Sequence, residues 1–251
     1  MSGHNKWSTI KRKKGALDAK RSKIFSRIIK EISIAVREGG PDPDGNPALR
    51  LAIANAKGAN MPKDNITRAI NKASEKDAAN FTEVTYEGYA PHGIALFIEC
   101  TTDNIQRTVS NIRVYFNKNG GSLGTKGSLG FLFERKGVFI IPEDNIKNRE
   151  EFEMDIIDAG AEDIIFEDNI CTVITEMEYF GSMMKKLEEM KIEPESASLQ
   201  RIAKEKVTLD KESALKVLKL VEIFEEDDDV QNVYHNLEIT DEIMEYMQEQ
   251  H

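Results

Sequence analysis

The chain is poor in most of the residue patterns that carry chemistry. It has two cysteines, Cys100 and Cys171, and neither belongs to a C-x-x-C pair. Two isolated thiols cannot build a disulfide framework, so a reducing, cytoplasmic setting is expected. The four histidines, His4, His92, His235 and His251, stand singly without metal-ligand spacing, and no metal or cofactor is expected. The longest purely apolar run, Ile94–Ile98, is far too short to cross a bilayer. No apolar segment follows the basic start, so neither a secretory signal nor a membrane partner is expected.

Catalytic signatures are missing as well. No H-E-x-x-H occurs, the single G-x-S-x-G (Gly120–Gly124) follows a helix where a nucleophile elbow needs a strand, and no nucleophile-and-base spacing stands out. The stretch Gly120–Gly127 invites a phosphate-loop reading, but Lys126 is followed by glycine and the stretch follows a helix, not a strand. A flexible loop is the better reading. D-P-D-G-N at 42–46 places its glycine fourth and Ile53 twelfth, where a calcium loop needs glycine sixth and a bidentate acid twelfth. The acidic run Glu225–Asp229 reads as a solvated turn. Carboxylates are abundant, but no pair is singled out by spacing. Neither an enzyme nor a small-molecule substrate is expected.

What the chain does have is charge, unevenly divided. Its formal net charge is −10, yet residues 1–76 hold 17 Lys and Arg against 7 Asp and Glu, a net of +10. The remainder therefore holds 17 against 37, a net of −20. Such asymmetry suggests a polyanion-binding module joined to an acidic body. The cations concentrate at Lys6, Lys11, Arg12, Lys13, Lys14, Lys20, Arg21 and Lys23, interleaved with Trp7 and Ile10. Lysine and arginine neutralise phosphates, and an indole offers a base a stacking surface. A plain solvated arm is the competing reading, but it does not need the tryptophan. Lys6, Trp7, Lys11, Arg12, Lys13, Lys14, Lys20, Arg21 and Lys23 are therefore the candidate nucleic-acid contacts, extended along the first helix by Arg27 and Lys30. Tyr86, Glu87, Gly88 and Tyr89 form a second candidate, a loop that either packs on its own strand or touches a partner.

Periodicity divides the chain. Ile24, Phe25, Ile28, Ile29, Ile32, Ala35 and Val36 recur at helical spacing until Gly39-Gly40-Pro41. Asn46-Pro47 opens a second helix with Leu49, Ala52, Ile53 and Ala56 on one face, and Ile66, Ala69, Ile70 and Ala73 mark a third. After a polar linker at 74–82, Val84–Glu87 and Ile94–Cys100 read as strands. A helix over Ile105, Val109, Ile112 and Phe116 follows, with a returning strand at Leu129–Phe133. Residues 137–204 carry a complete β-α-β-β-α-β order, the ferredoxin-like pattern. A helix at 210–224 and a strand at Val230–Leu237 cannot bury their faces alone. They are expected to return to the earlier sheet. The fold class is thus α+β with three domains: a three-helix, basic domain at 1–76 and two ferredoxin-like α/β domains, the middle one discontinuous at 77–136 plus 205–240 and the other inserted at 137–204.

Four blocks resemble the YebC/PmpR family: S-G-H-N-K-W-S-T-I-K-R-K-K-G-A-L-D-A-K-R-S-K from Ser2, N-P-A-L-R-L-A-I-A-N-A-K-G-A-N-M-P-K-D-N from Asn46, Y-E-G-Y-A-P-H-G from Tyr86 and D-D-V-Q-N-V-Y-H-N from Asp228. The mitochondrial translational activators of cytochrome oxidase subunit one are the eukaryotic relatives of that family. The resemblance implies a helical domain and two α/β domains, the middle one completed by the C-terminal segment. It also implies cytoplasmic proteins described as probable DNA-binding transcriptional regulators, and a link to translation through ribosome-associated members that ease synthesis of proline-rich stretches. Asn5 replaces a usual serine, and Ala90 and His92 replace usual glycines. A non-catalytic nucleic-acid-binding regulator of gene expression is therefore expected, with DNA as target. A ribosome-bound translation factor contacting ribosomal RNA or tRNA is the alternative, and an acidic protein-interaction adaptor the second.

Overall fold

The computed structural model describes residues 17–75, 78 and 80–249, with side chains between 21 and 247. In chain order the helices are α1 (Leu17–Gly39), α2 (Pro47–Gly58), α3 (Lys63–Ala73), α4 (Ile105–Lys118), α5 (Arg149–Asp158), α6 (Phe180–Glu189), α7 (Lys211–Glu226) and α8 (Asp241–Glu249). The strands are β1 (Thr82–Tyr89), β2 (Ala95–Thr102), β3 (Ser122–Leu123), β4 (Phe133–Pro142), β5 (Ala161–Glu167), β6 (Ile170–Glu176), β7 (Ser196–Ala203) and β8 (Val230–His235). They form an α+β fold with an N-terminal helical domain and two four-stranded sheets. The chain divides into two compact units, one joining residues 24–79 to 135–201 and the other containing 80–134 and 202 onward.

In the first unit, α1, α2 and α3 bury Ile28, Ile32, Ala35, Val36, Leu49, Ala52, Ala56 and Ile66 against one another. Asn46 sets the angle between α1 and α2. Its Oδ1 caps α2 by accepting from Leu49 N–H at 3.0 Å, while its Nδ2 donates to the Ala35 and Gly40 carbonyls at 2.7 and 2.9 Å. A buried amide with all these bonds made ties the end of one helix to the start of the next. The sheet of this unit runs β5-β6-β4-β7. Combined with the chain order β4-α5-β5-β6-α6-β7, that is the ferredoxin-like arrangement.

The helical layer is fastened to this sheet through its edge strand. Asn55 on α2 donates from Nδ2 to the Ala197 carbonyl at 3.0 Å and accepts at Oδ1 from Ala197 N–H at 2.9 Å. The side-chain amide thus pairs with β7 as a neighbouring strand would, and satisfies part of an open edge. Leu51 packs against the core of Phe139, Phe152, Cys171 and Leu187. Gly58 passes so close to Glu195 that any β-carbon would overlap its backbone carbonyl. Backbone cannot step aside as a side-chain tip can, so Gly58→Ala is expected to lower stability by about 3 kcal/mol. A fall of that size in denaturant midpoint checks it; an unshifted midpoint would show that the contact is slack.

The second unit carries the sheet β3-β1-β2-β8, with β1–β2, β1–β3 and β2–β8 all antiparallel. Four strands and two covering helices are reached here by a β-β-α-β chain completed by α7 and β8. Strand β2 is buried on both faces. Leu96, Ile98 and Cys100 join Ile112, Phe116, Val217, Val221 and Phe224 beneath α4 and α7, while Ala95 and Phe97 join Leu129, Phe133 and Tyr234 on the other side. Three expectations need correction. The chain order β-β-α-β-α-β and the sheet order β3-β1-β2-β8 of this domain are not those of the ferredoxin-like pattern expected for it. Leu129–Phe133 is not a strand: residues 130–132 make a 3₁₀ turn, β4 starts at Phe133, and the strand beside β1 is the two-residue β3. Helix α8 lies beyond the expected last strand and adds Ile243 and Met247 to the core. A carboxylate ties the returning segment down. Asp229 accepts from Arg107 Nη2 at 2.8 Å, Thr108 Oγ1 at 2.9 Å and Thr102 Oγ1 at 3.1 Å.

His235 on β8 is buried against Leu96, and desolvation pushes its pKa down to about 4, the Leu237 backbone offsetting a little of that. The unfolded imidazole takes its proton near 6.5, so between pH 6.5 and 4 the unfolded chain binds more protons than the folded one. The stability contributed is complete above pH 6.5 and is lost as pH falls, by roughly 3 kcal/mol at pH 4. His235→Gln is expected to flatten this part of the pH–stability curve relative to the parent chain. Parallel curves would remove His235 as its source.

Candidate nucleic-acid interface

Helix α1 presents two unlike faces. Ile28, Ile32, Ala35 and Val36 point into the helical core. Lys23, Arg27, Lys30 and Arg37 recur at spacings of four, three and seven, which places them on one stripe roughly opposite the core. Arg21 and Arg37 are exposed, and Lys23, Arg27 and Lys30 are half-buried along their stems. All five take part in interactions within the chain, and the Arg27 Nε atom is buried. Lys6, Trp7, Lys11, Arg12, Lys13 and Lys14 lie outside the described residues, as does the side chain of Lys20. Of the candidate contacts, the structure brings Lys23, Arg27 and Lys30 together on the α1 stripe and leaves Arg21, seven residues before Ile28, on the opposite side of the helix, the side that carries Ile28 and Ile32.

The helical domain carries further cations, scattered in sequence and so without a local signal of their own. Arg50, Lys57, Lys63, Arg68 and Lys72 are all exposed on α2 and α3. The signal that could have found them was the +10 count itself, which the first 23 residues do not exhaust. Arg50 Nη1 donates to the Pro43 and Asp44 carbonyls at 2.7 Å, and Arg68 Nη2 donates to Asn65 Oδ1 at 2.8 Å. Both guanidiniums are therefore held in position on the surface.

Tyr86–Tyr89 is not a hairpin loop but the last turn of pleat in β1. Tyr86 is half-buried and packs against the core. Gly88 is wedged between the Phe116 ring and the Ser122 carbonyl, where a β-carbon would overlap both. Glu87 is 3% exposed, and its carboxylate accepts from the backbone N–H groups of Gly127, Leu129 and Gly130 at 2.7, 2.5 and 3.0 Å. A chain of N–H groups converging on an anion is what a phosphate loop offers its ligand. Here the protein's own carboxylate fills that nest, which is why the glycine-rich stretch is no nucleotide site. Of the four residues only Tyr89 is open to a partner.

Two family models match the chain: the N-terminal domain of TACO1/YebC proteins over residues 5–76, and the second and third domains of TACO1/YebC over residues 81–237. The chain belongs to the TACO1/YebC family. A probable transcriptional regulatory protein of Amoebophilus asiaticus is 54% identical over 239 residues, covering 94% of this chain and 98% of that protein. One from Rubrobacter xylanophilus is 48% identical over 246 residues, covering 97% and 98%. The crystal structure of a conserved hypothetical protein from Aquifex aeolicus superposes with a TM-score of 0.81 at 44% identity, over 90% of this chain and 93% of that one.

The family resemblance implies glycines at positions 90 and 92, which gives Ala90 and His92 a reference. Ala90 has φ −72° and is buried, so no glycine is needed there. His92 has φ 62°, in the left-handed region that favours glycine, and so carries roughly 1 kcal/mol of strain. The loop keeps the glycine-type path and stores the cost of one side chain.

Proposed function

We propose that this chain is a non-catalytic, nucleic-acid-binding regulator of gene expression, acting in the cytoplasm as a DNA-binding transcriptional regulator of the YebC/PmpR type. One observation carries the reading: the cationic stripe on α1 continues the basic start of a domain with net +10, beside a remainder of net −20. The acidic remainder repels phosphates and leaves the helical domain as the docking face. The names of the relatives, probable transcriptional regulatory proteins, support the same reading. No described helix is long and apolar enough to cross a membrane.

The translation-factor reading uses the same stripe, because structured ribosomal RNA or tRNA presents the same phosphates as duplex DNA. The adaptor reading has an observation of its own, a shallow depression of about 540 Å³ lined by Asp158, Glu162, Glu176 and Tyr179. Sedimentation of a lysate through sucrose, followed by crosslinking of the bound nucleic acid, separates the three. Enrichment of discrete promoter DNA is expected. Ribosomal co-sedimentation that survives DNase would move the function to translation, and capture without any nucleic acid would move it to the adaptor.

A further inference from the structure

Residues 88–98 and 104–133 contain no Asp or Glu, although residues 77–251 as a whole carry net −20. Their cations are Arg107, Arg113, Lys118 and Lys126. The fold gathers parts of both stretches at one end of the β3-β1-β2-β8 sheet. Tyr89 pairs with Ser122, Gly120 lies against the Pro91 ring, and the backbone of 127–130 converges on Glu87. Strand parity puts Tyr89 on the face that carries Glu87, Ala95 and Phe97, the face that Leu129 and Phe133 cover. Two aromatic rings on this side stay uncovered: Phe131, 68% exposed between its buried neighbours Leu129 and Phe133, and Tyr89, 42% exposed. Lys126 is exposed and directly precedes Gly127, whose N–H holds Glu87.

We propose that this sheet end is a second nucleic-acid contact, taking an unpaired strand whose bases stack on Phe131 and Tyr89 while Lys126 meets a phosphate. The proposal rests on the reading of the chain as nucleic-acid-binding. Aromatic faces beside a cation accept any base, since every base has a π-face. The two stretches bring no carboxylate of their own to this edge, where an exposed acid would repel a phosphate strand. Glu87 is buried and hydrogen-bonded, and the nearby acid is Asp210, beside His92. Glu87 has the role of holding the loop. Three N–H groups fix 127–130 in one shape, so Phe131 and Lys126 are placed before the strand arrives and less ordering entropy is lost on binding. The glycines serve this close wrapping of backbone around a carboxylate.

The test is fluorescence anisotropy of the full chain with labelled 12-nucleotide oligouridine and oligodeoxythymidine, across a salt series. Phe131→Ala and Tyr89→Ala are each expected to weaken binding by about tenfold and to leave the salt slope unchanged. Lys126→Ala is expected to flatten the slope by about one unit. Val114→Ala, at an exposed apolar position elsewhere on α4, is expected to change nothing. All four sites are exposed, so thermal unfolding reports that the variants fold. Loss on both oligomers, or on one alone, supports the contact and tells RNA from DNA. If the parent chain binds and the Phe131→Ala/Tyr89→Ala variant binds equally well, the second contact is overturned while the nucleic-acid reading stands. With a labelled DNA duplex titrated alongside, a parent chain that binds the duplex but neither oligomer overturns the second contact alone, and one that binds none of the three overturns both.

Discussion

Reversing the charge at Lys11, Arg12, Lys13 and Lys14 together is expected to weaken nucleic-acid binding and to flatten its salt dependence at the same time. If about five cations of the segment 6–23 meet phosphates, log affinity falls with log salt at a slope near −4.5. Between 50 and 200 mM salt the parent chain then loses on the order of 500-fold in affinity, and the variant loses far less because fewer counterions are released. Trp7→Ala separates stacking from charge. It is expected to cost roughly 1–3 kcal/mol of binding with the slope almost unchanged if the indole lies on a base. An indole that packs on the helical domain would instead announce itself as a lower melting temperature. Anisotropy titrations with DNA and RNA, duplex and single-stranded, read all of these quantities. Equal affinity before and after the fourfold reversal would leave the basic start as a solvated arm, and the search for contacts would move to Lys23, Arg27, Lys30 and the cations of α2 and α3.

A chain ending at Glu205 is expected to lose the cooperative unfolding of the second unit altogether. We propose that residues 77–136 and 205–240 form one folding unit, and the energetics favour this. Removal of α7, β8 and α8 takes away Val217, Leu218, Leu220, Val221, Phe224, Val230, Val233, Leu237, Ile243 and Met247 from one core. Burial of a single large aliphatic is worth about 1.5–3 kcal/mol, so a few of these exceed the stability of an average domain. The truncation also strips β2 of its β8 hydrogen bonds and leaves Arg107, Thr102 and Thr108 without Asp229. The isolated segment 137–204 is expected to fold, since its β-α-β-β-α-β list is closed, but with a lowered melting temperature because Leu51 and Asn55 are gone from its core and its edge. Two thermal transitions, followed by circular dichroism, decide the matter. A truncated chain that keeps both would show that 77–136 is complete by itself.

The helices of the basic domain were legible because a helix that buries one face repeats its apolar residues every three to four positions, and Asn46-Pro47 marks a start by local chemistry alone. The ferredoxin-like order of 137–204 followed from the same local periods. Charge was legible too: the +10 and −20 division is arithmetic, and the α1 stripe follows from spacing once the helix is granted. The fate of Tyr86–Tyr89 and of the glycine-rich loop was not. Each looked like a loop by composition, yet Glu87 reaches forty residues along the chain to hold the 127–130 backbone, which bends residues 130–132 into a 3₁₀ turn where apolar residues alone suggest a strand. Asn55 likewise reads as an ordinary helix polar residue until β7 lies beside it, 142 residues later. Periodicity reports which face of an element is buried, because that depends on neighbours three or four residues away. It cannot report which buried acid meets which backbone, because that pairing exists only when distant segments are brought together and the cost of leaving the groups unpaired must be met.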